Sequence, residues 1–441
     1  MAFDDLDQAT ATYISCIMYL LVVTMKRTTD LLAAVMTEER RRRQIIRQGA
    51  IESMNLLMNA GASLLERRSL LESTPQRSCW MRVRSKDWWE RVVLKEFSDE
   101  EWKENFRMTR RTFDKLCGLM SRVMKPEDVT VRAPVPLQMR VAIVLYKLAS
   151  SSEYRVVANQ FGVHKSTVKK FVYIFCKGTV SSVIQNFITV PTAEEASAIA
   201  RRFELKFNIP QIIGCIGGTH IPVLPPSDGY KDFINRKGWT SYVLQAVVDD
   251  TYRFWNINCK LPGSADDANV LRQSALFSHA HQLPKGLREI NGVAVSHFLV
   301  GDPGYPLLEW LIKGYTRSPL ITPEQESFNV YLSSARTTVQ IAFGRLKSRW
   351  RVLLKRSDFH FTFTPHVIAT CCALHNLCED EEDGVNPTWT DEAAALESNL
   401  PQPGARAHDA SDTDGGQKIR ELLTDYLSEN FPLHTLVVAV C

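Results

Sequence analysis

The chain has 441 residues, 45% of them hydrophobic and 23% charged, and 53 Lys and Arg against 49 Asp and Glu leave a formal net charge of +4. That length and composition exclude both a single ordinary core and a wholly disordered chain, and the small net charge excludes attraction to nucleic acid through the overall field, so local clusters must supply any such attraction. Ten cysteines with no secretory leader before them exclude a disulfide scaffold and point to a reduced, intracellular setting.

In chain order, the first segment is helical. Tyr13 to Val23, "YISCIMYLLVV", supplies only about half of the roughly 20 apolar residues that a membrane span needs, and reads as a buried or self-associating helix, with membrane insertion as the lesser alternative. Helical periodicity continues through residues 28–71, where Arg40 to Arg43 follow Glu38 and Glu39; a solvated face is the reading, with a nuclear import signal or phosphate patch as the alternative. Residues 1–78 are taken as a helical extension. In the next region Trp88, Trp89, Trp102, Phe106 and Phe113 on amphipathic stretches read as core, and Ser98 with Glu101 forms a capping box.

Residues 153–175, "EYRVVANQFGVHKSTVKKFVYIF", carry a more specific pattern. Around Gly162 the apolar Val157, Phe161, Val163, Val168 and Phe171 fall at the spacing of a helix-turn-helix, in which glycine permits the tight turn and the apolar set joins the helices. The outward face of the second helix would then carry Lys165, Ser166, Thr167, Lys169, Lys170 and Tyr173, residue types that reach phosphates and base edges. This helical region is assigned to residues 79–205.

The period then changes. "QIIGCIGGTHIPV", "WTSYVLQAVVDD", "YRFWNINCKL" and "VSHFLVGD" read as strands, with helices near "DDANVLRQSALF" and at "SSARTTVQIAFGRLKSRWRVLL", so residues 206–379 form an α/β sheet domain. Adjacent Gly217 and Gly218 inside the first strand are anomalous, because glycine weakens a strand and marks a close backbone approach. On the last of those helices Val339, Ala342, Phe343 and Leu346 form a packing face; Arg336, Gln340, Gly344 and Lys347 share its neighbour, and Arg345, Arg349, Arg351, Lys355 and Arg356 complete a basic cluster suited to tracking phosphates. Cys371, Cys372, His375 and Cys378 match no common zinc spacing and read as core. Residues 380–441, acidic and rich in Pro and Gly, read as a largely disordered tail with a short helix at Gln417 to Glu429.

The blocks "GCIGGTHIPV", "YKDFINRKGW", "LQAVVDDTYRFWN", "PGSADDANVLRQS", "GDPGYPL" and "FNVYLSSARTTVQIAFGRLKSRWRVL" closely resemble the transposases of PIF/Harbinger elements and the host proteins derived from them, over most of residues 80–378. The resemblance implies an RNase H-like nuclease fold in which acidic residues hold two divalent ions, Mg or Mn, for cutting DNA in the nucleus, together with a Myb/SANT-like partner. Carried over by position, the acids are Asp267 and Asp302, but Gly217 and Gln340 stand where relatives carry an aspartate and a glutamate. Losing even one ion removes several kcal/mol of transition-state stabilisation, at about 1.4 kcal/mol for each factor of ten in rate. The expectation is a nuclease fold without effective cleavage, retained for DNA or chromatin binding. The alternatives are a rearranged site using Asp249, Asp250 or Asp266, and an interaction scaffold.

Overall fold

A computed structural model describes residues 4–66, 84–125, 134–316, 321–356, 359–404, 406–407 and 412–432. The chain divides into two units, Met1–Val83 and Arg84–Cys441. The described residues of the first form one helix, α1 (Asp4–Glu66). No proline interrupts it, and at 1.5 Å per residue it extends about 95 Å. Within its own unit Met18, Leu20, Leu21 and Val22 are exposed, so this part of the apolar run is not buried there as one reading of the sequence required. Arg42 and Arg43 pair with Glu38 and Glu39 one turn earlier, as the solvated-face reading predicts. No described helix is long and apolar enough to cross a membrane.

The second unit begins with a π-helical segment, Trp88–Glu96, followed by α2 (Asp99–Phe106), α3 (Arg110–Met120) and α4 (Leu137–Ser150). The Ser98/Glu101 capping box opens α2. Trp89, Trp102, Phe106 and Phe113 are buried against one another, with the Trp102 ring 4.6 Å from Phe106 and 5.1 Å from Phe113. Helices α5 (Tyr154–Gln160) and α6 (Lys165–Gly178) follow, joined by a turn in which Gly162 has φ of 64°. A side chain at Gly162 would also meet the Ser85 carbonyl oxygen at 2.1 Å, so conformation and space both require glycine. Val157, Phe161, Val163, Val168 and Phe171 are buried as their spacing predicts.

Helix α7 (Ala193–Phe207) leads into β1 (Ile212–Pro222), β2 (Ser241–Val248) and β3 (Phe254–Asn258); α8 (Asp267–Arg272), α9 (Ala275–Ser278) and the β4–β5 hairpin (Arg288–Ile290, Val293–Val295) precede β6 (Phe298–Val300) and β7 (Leu311–Ile312). Five strands form one mixed sheet in the order β3-β2-β1-β6-β7, antiparallel across β1, β2 and β3 and parallel through β6 and β7. β1 is covered on both faces. Helix α10 (Pro323–Arg349) lies on one, where Cys215 donates its S–H to the Ala335 carbonyl; Ile216 packs on the other with Leu271 and Tyr305. Burial on both faces explains why its sequence reads as a continuous apolar run rather than an alternation.

Helix α11 (Thr364–Asp380) is held by Asn376, which accepts the Phe254 N–H at 2.9 Å and donates to the carbonyls of Phe254 and Phe187. His375 hydrogen-bonds the Tyr252 carbonyl, and Cys371, Cys372 and Cys378 are buried, which makes this set structural. The segment after it corrects the expectation of a largely disordered tail. Helix α12 (Pro387–Glu397) is formed there in addition to α13 (Asp414–Asn430), which covers the helix expected at Gln417 to Glu429, and Trp389, Leu423 and Leu427 are buried. The Arg107 guanidinium lies 4.1 Å from the Trp389 ring centre, and the indole N–H donates to Glu104. Few apolar side chains suffice here because large ones anchor each helix to a surface already built.

Candidate nuclease-like site

Asp302 follows β6 after Gly301, beside the point where β1 and β6 diverge, and its carboxylate accepts the Gly304 N–H at 2.9 Å. Asp267 is the first residue of α8, whose N-cap Asp266 accepts the Asn269 N–H at 2.7 Å. The two carboxylates converge. A methyl placed on Gly304 would lie 2.8 Å from Asp267 Oδ2 and 3.0 Å from Asp302 Oδ1, so glycine leaves the gap between them open. Behind them Gln245 donates to the Tyr305 hydroxyl and to the Asp267 backbone carbonyl.

The double glycine of β1 resolves into two different roles. A side chain at Gly218 would meet Asp267 Oδ1 at 2.7 Å, so this glycine allows the carboxylate to come down on the strand. Gly217 points the opposite way, as successive strand residues do. A side chain there would face α10, meeting Val339 at 3.0 and 3.3 Å and Phe343 at 3.6 Å. Val339 is buried, and Gln340, the next residue of the helix, is exposed. The space beside the vacated position is therefore filled by hydrocarbon.

Burial raises the Asp267 carboxyl to about 7, with the neighbouring Asp302 charge adding to the effect. Asp302 is raised by burial as well, opposed chiefly by the Arg336 guanidinium and then by the Gly304 N–H and Arg236. The Tyr305 phenol, buried and facing both carboxylates, is pushed well above its ordinary range. His220, next along β1, is lowered to about 4 by burial and by the charges of Lys347 and Arg236, and its Nδ1 lies 2.9 Å from the Ser241 hydroxyl. The site thus holds two carboxyl groups whose ionisation burial resists, and leaves the nearby imidazole neutral.

No group of three or more His, Cys, Asp or Glu that would hold a metal occurs among the described residues. Two carboxylates suit at most one hydrated Mg, not the pair of ions about 3.5–4 Å apart on which two-metal cleavage depends. The acids available as substitutes are engaged. Asp249 accepts from the Thr251 hydroxyl and from the Thr251 and Arg253 N–H groups, Asp250 takes both guanidinium contacts of Arg202, and Asp266 caps α8.

The predicted DNA-contacting residues separate into groups. Lys165, Ser166, Lys169 and Lys170 are exposed on α6, while Thr167 is half-buried. Tyr173 is not on a free face, because its ring stacks on Phe363 at 3.8 Å with a 5° interplanar angle. Arg336 is half-buried beside Asp302. Lys347 is a correction: it is 3% exposed, and its ammonium lies 2.5 Å from Glu397 of α12. Its neighbours are engaged in the same manner, Arg345 with Glu379, Arg351 with Glu392, and buried Arg349 with the carbonyls of Arg107 and Asp383. Much of the basic cluster therefore binds the chain's own C-terminal segment, and Lys355 and Arg356 remain exposed.

Sequence reasoning also missed Gln402. Its side-chain oxygen accepts from the Thr219 hydroxyl at 3.1 Å and the His220 N–H at 2.8 Å, and its amide nitrogen donates to the His220 carbonyl. Trp239 donates to the Pro401 carbonyl at 3.0 Å, and the Arg406 carbonyl would lie 3.4 Å from a side chain at Gly304. A polar residue between prolines carries no signal of such contacts.

Residues 216–376 match the model of the DDE superfamily endonuclease family. The chain is 32% identical over 327 residues to the Protein ALP1-like of Arabidopsis thaliana, covering 68% of this chain and 76% of that one. The chain belongs to the Harbinger transposase-derived nuclease family. It is also 28% identical to the Arabidopsis thaliana protein Antagonist of Like Heterochromatin Protein 1, over 77% of this chain and 89% of that one. A Bos taurus protein provisionally named nuclease HARBI1 is 25% identical, over 77% and 94% of the two chains. No solved structure matches the chain. Members of this family usually use a divalent metal, and the donor set here falls short of two ions.

Proposed function

We propose that this family member retains an RNase H-like nuclease fold but not effective strand cleavage, and acts in the nucleus by binding DNA or chromatin. The sheet order, with three antiparallel strands extended by two parallel ones, supports the fold assignment. The observation that carries the functional reading is the convergence of Asp267 and Asp302 without a third acidic donor among the described residues, where Gly217 faces Val339 and Gln340 is exposed. DNA contact is assigned to α6 as the second helix of a helix-turn-helix, through Lys165, Ser166, Lys169 and Lys170, with Thr167 at the edge of that face. Arg336 adds positive charge beside the carboxylates. A Myb/SANT-like protein is the partner class that the family suggests, and one relative's name places that relative in antagonism of a heterochromatin protein.

The test is duplex binding by fluorescence anisotropy at several salt concentrations. Lys169→Ala with Lys170→Ala is expected to weaken binding and to reduce the slope of log affinity against log salt by about 1.8, two phosphate contacts at about 0.9 each. An unchanged affinity and slope removes α6 from the interface.

A further inference from the structure

The C-terminal segment is built across the surface that a nucleic acid would approach. From α12, Glu397 reaches Lys347 at 2.5 Å and Glu392 pairs with Arg351. Beyond α12 the chain continues to Pro401, whose carbonyl accepts from Trp239, and to Gln402, whose amide forms a two-point contact with the His220 backbone. That contact falls where β1 lacks a strand partner on one side. β1 pairs with β2 as far as Pro222, but with β6 only through Cys215, so the edge from Ile216 onward is open next to Asp302.

We propose that residues 386–404 act as an internal competitor of nucleic acid. Carboxylates of α12 take the place of phosphates on Lys347 and Arg351, and Gln402 occupies the open edge of β1 beside the Asp267–Asp302 pair. The proposal rests on the reading that this protein binds nucleic acid, but it concerns residues other than those of α6. Trp389 fixes the N-terminal end of the segment, so the part from Glu397 to Gly404 is what a duplex displaces.

The experiment uses the full chain with Glu397→Gln and Gln402→Ala combined, which removes the two side-chain ties of the moving part, leaves the Trp239–Pro401 hydrogen bond and keeps the Trp389 anchor. Anisotropy titrations with a fluorescent DNA duplex across a salt series are run in the native and the Lys169→Ala/Lys170→Ala backgrounds. Tighter binding, with a slope steeper by about 0.9 for one freed cation, is expected in both. Unchanged affinity and slope in a cooperatively melting variant overturn the proposal, whatever the α6 substitutions do. Loss of DNA binding on α6 substitution alone bears only on α6. Should the variant fail to fold, hydrogen exchange at the His220 amide of the native chain decides: faster exchange with saturating duplex supports displacement, and unchanged exchange rejects it.

Discussion

Replacing Asp267 by asparagine tests the electrostatics of the site without changing its shape. In the folded chain the Asp267 carboxyl is raised from 3.8 to about 7, first by burial and then by Asp302. The native state therefore binds a proton more tightly than the unfolded one. This group's contribution is fully present below pH 4, is lost as pH rises through about 7, and stays lost above that. Such a displacement corresponds to at most about 4 kcal/mol. Partial exposure of the side chain and sharing of the proton with Asp302 reduce this to about 1–3 kcal/mol. The substitution also removes a favourable charge from the first turn of α8, worth about 0.5 kcal/mol. The expected outcome is Asp267→Asn more stable than the native chain by about 1–2 kcal/mol at pH 8 and no more stable at pH 4. Urea unfolding in chelator at the two pH values measures it. Equal stability at pH 8 would refute the argument that these carboxylates repel across a poorly solvated gap.

Two further outcomes follow from packing. Trp389→Ala is expected to cost about 3–5 kcal/mol by urea unfolding, since a buried indole is removed; a cost below about 1 kcal/mol would show that α12 is not part of the core. Gly217→Asp is expected to destabilise the fold by about 1–3 kcal/mol, because the new side chain enters the layer filled by Val339 and Phe343. Gly217→Asp with Gln340→Glu and Val339→Ala is expected to recover part of that loss, read by the same melts.

The helical turn at Gly162 and the strands β1, β2, β3 and β6 were legible because each rests on local pattern: a glycine at a fixed offset among apolar residues, or β-rich runs bounded by turns. The acids Asp267 and Asp302 were legible through their motif blocks. The opposite orientations of Gly217 and Gly218 required a register, which a run buried on both faces does not encode. The basic cluster of α10 misled for another reason. Lys347, Arg349 and Arg351 look like a phosphate surface until Glu397, the Arg107 and Asp383 carbonyls, and Glu392 are brought to them from distant parts of the chain. Composition also hid α12, since a large side chain such as Trp389 can dock a segment that is polar on average, whereas the helix at Gln417 to Glu429 was legible as α13.

The central claim is that the described site anchors too few cations to cut phosphodiesters. Nicking of supercoiled plasmid by the purified full chain, with Mg or with Mn, tests it directly. The account predicts no nicking above that of an Asp302→Ala control, and metal-dependent nicking that Asp302→Ala abolishes would contradict it.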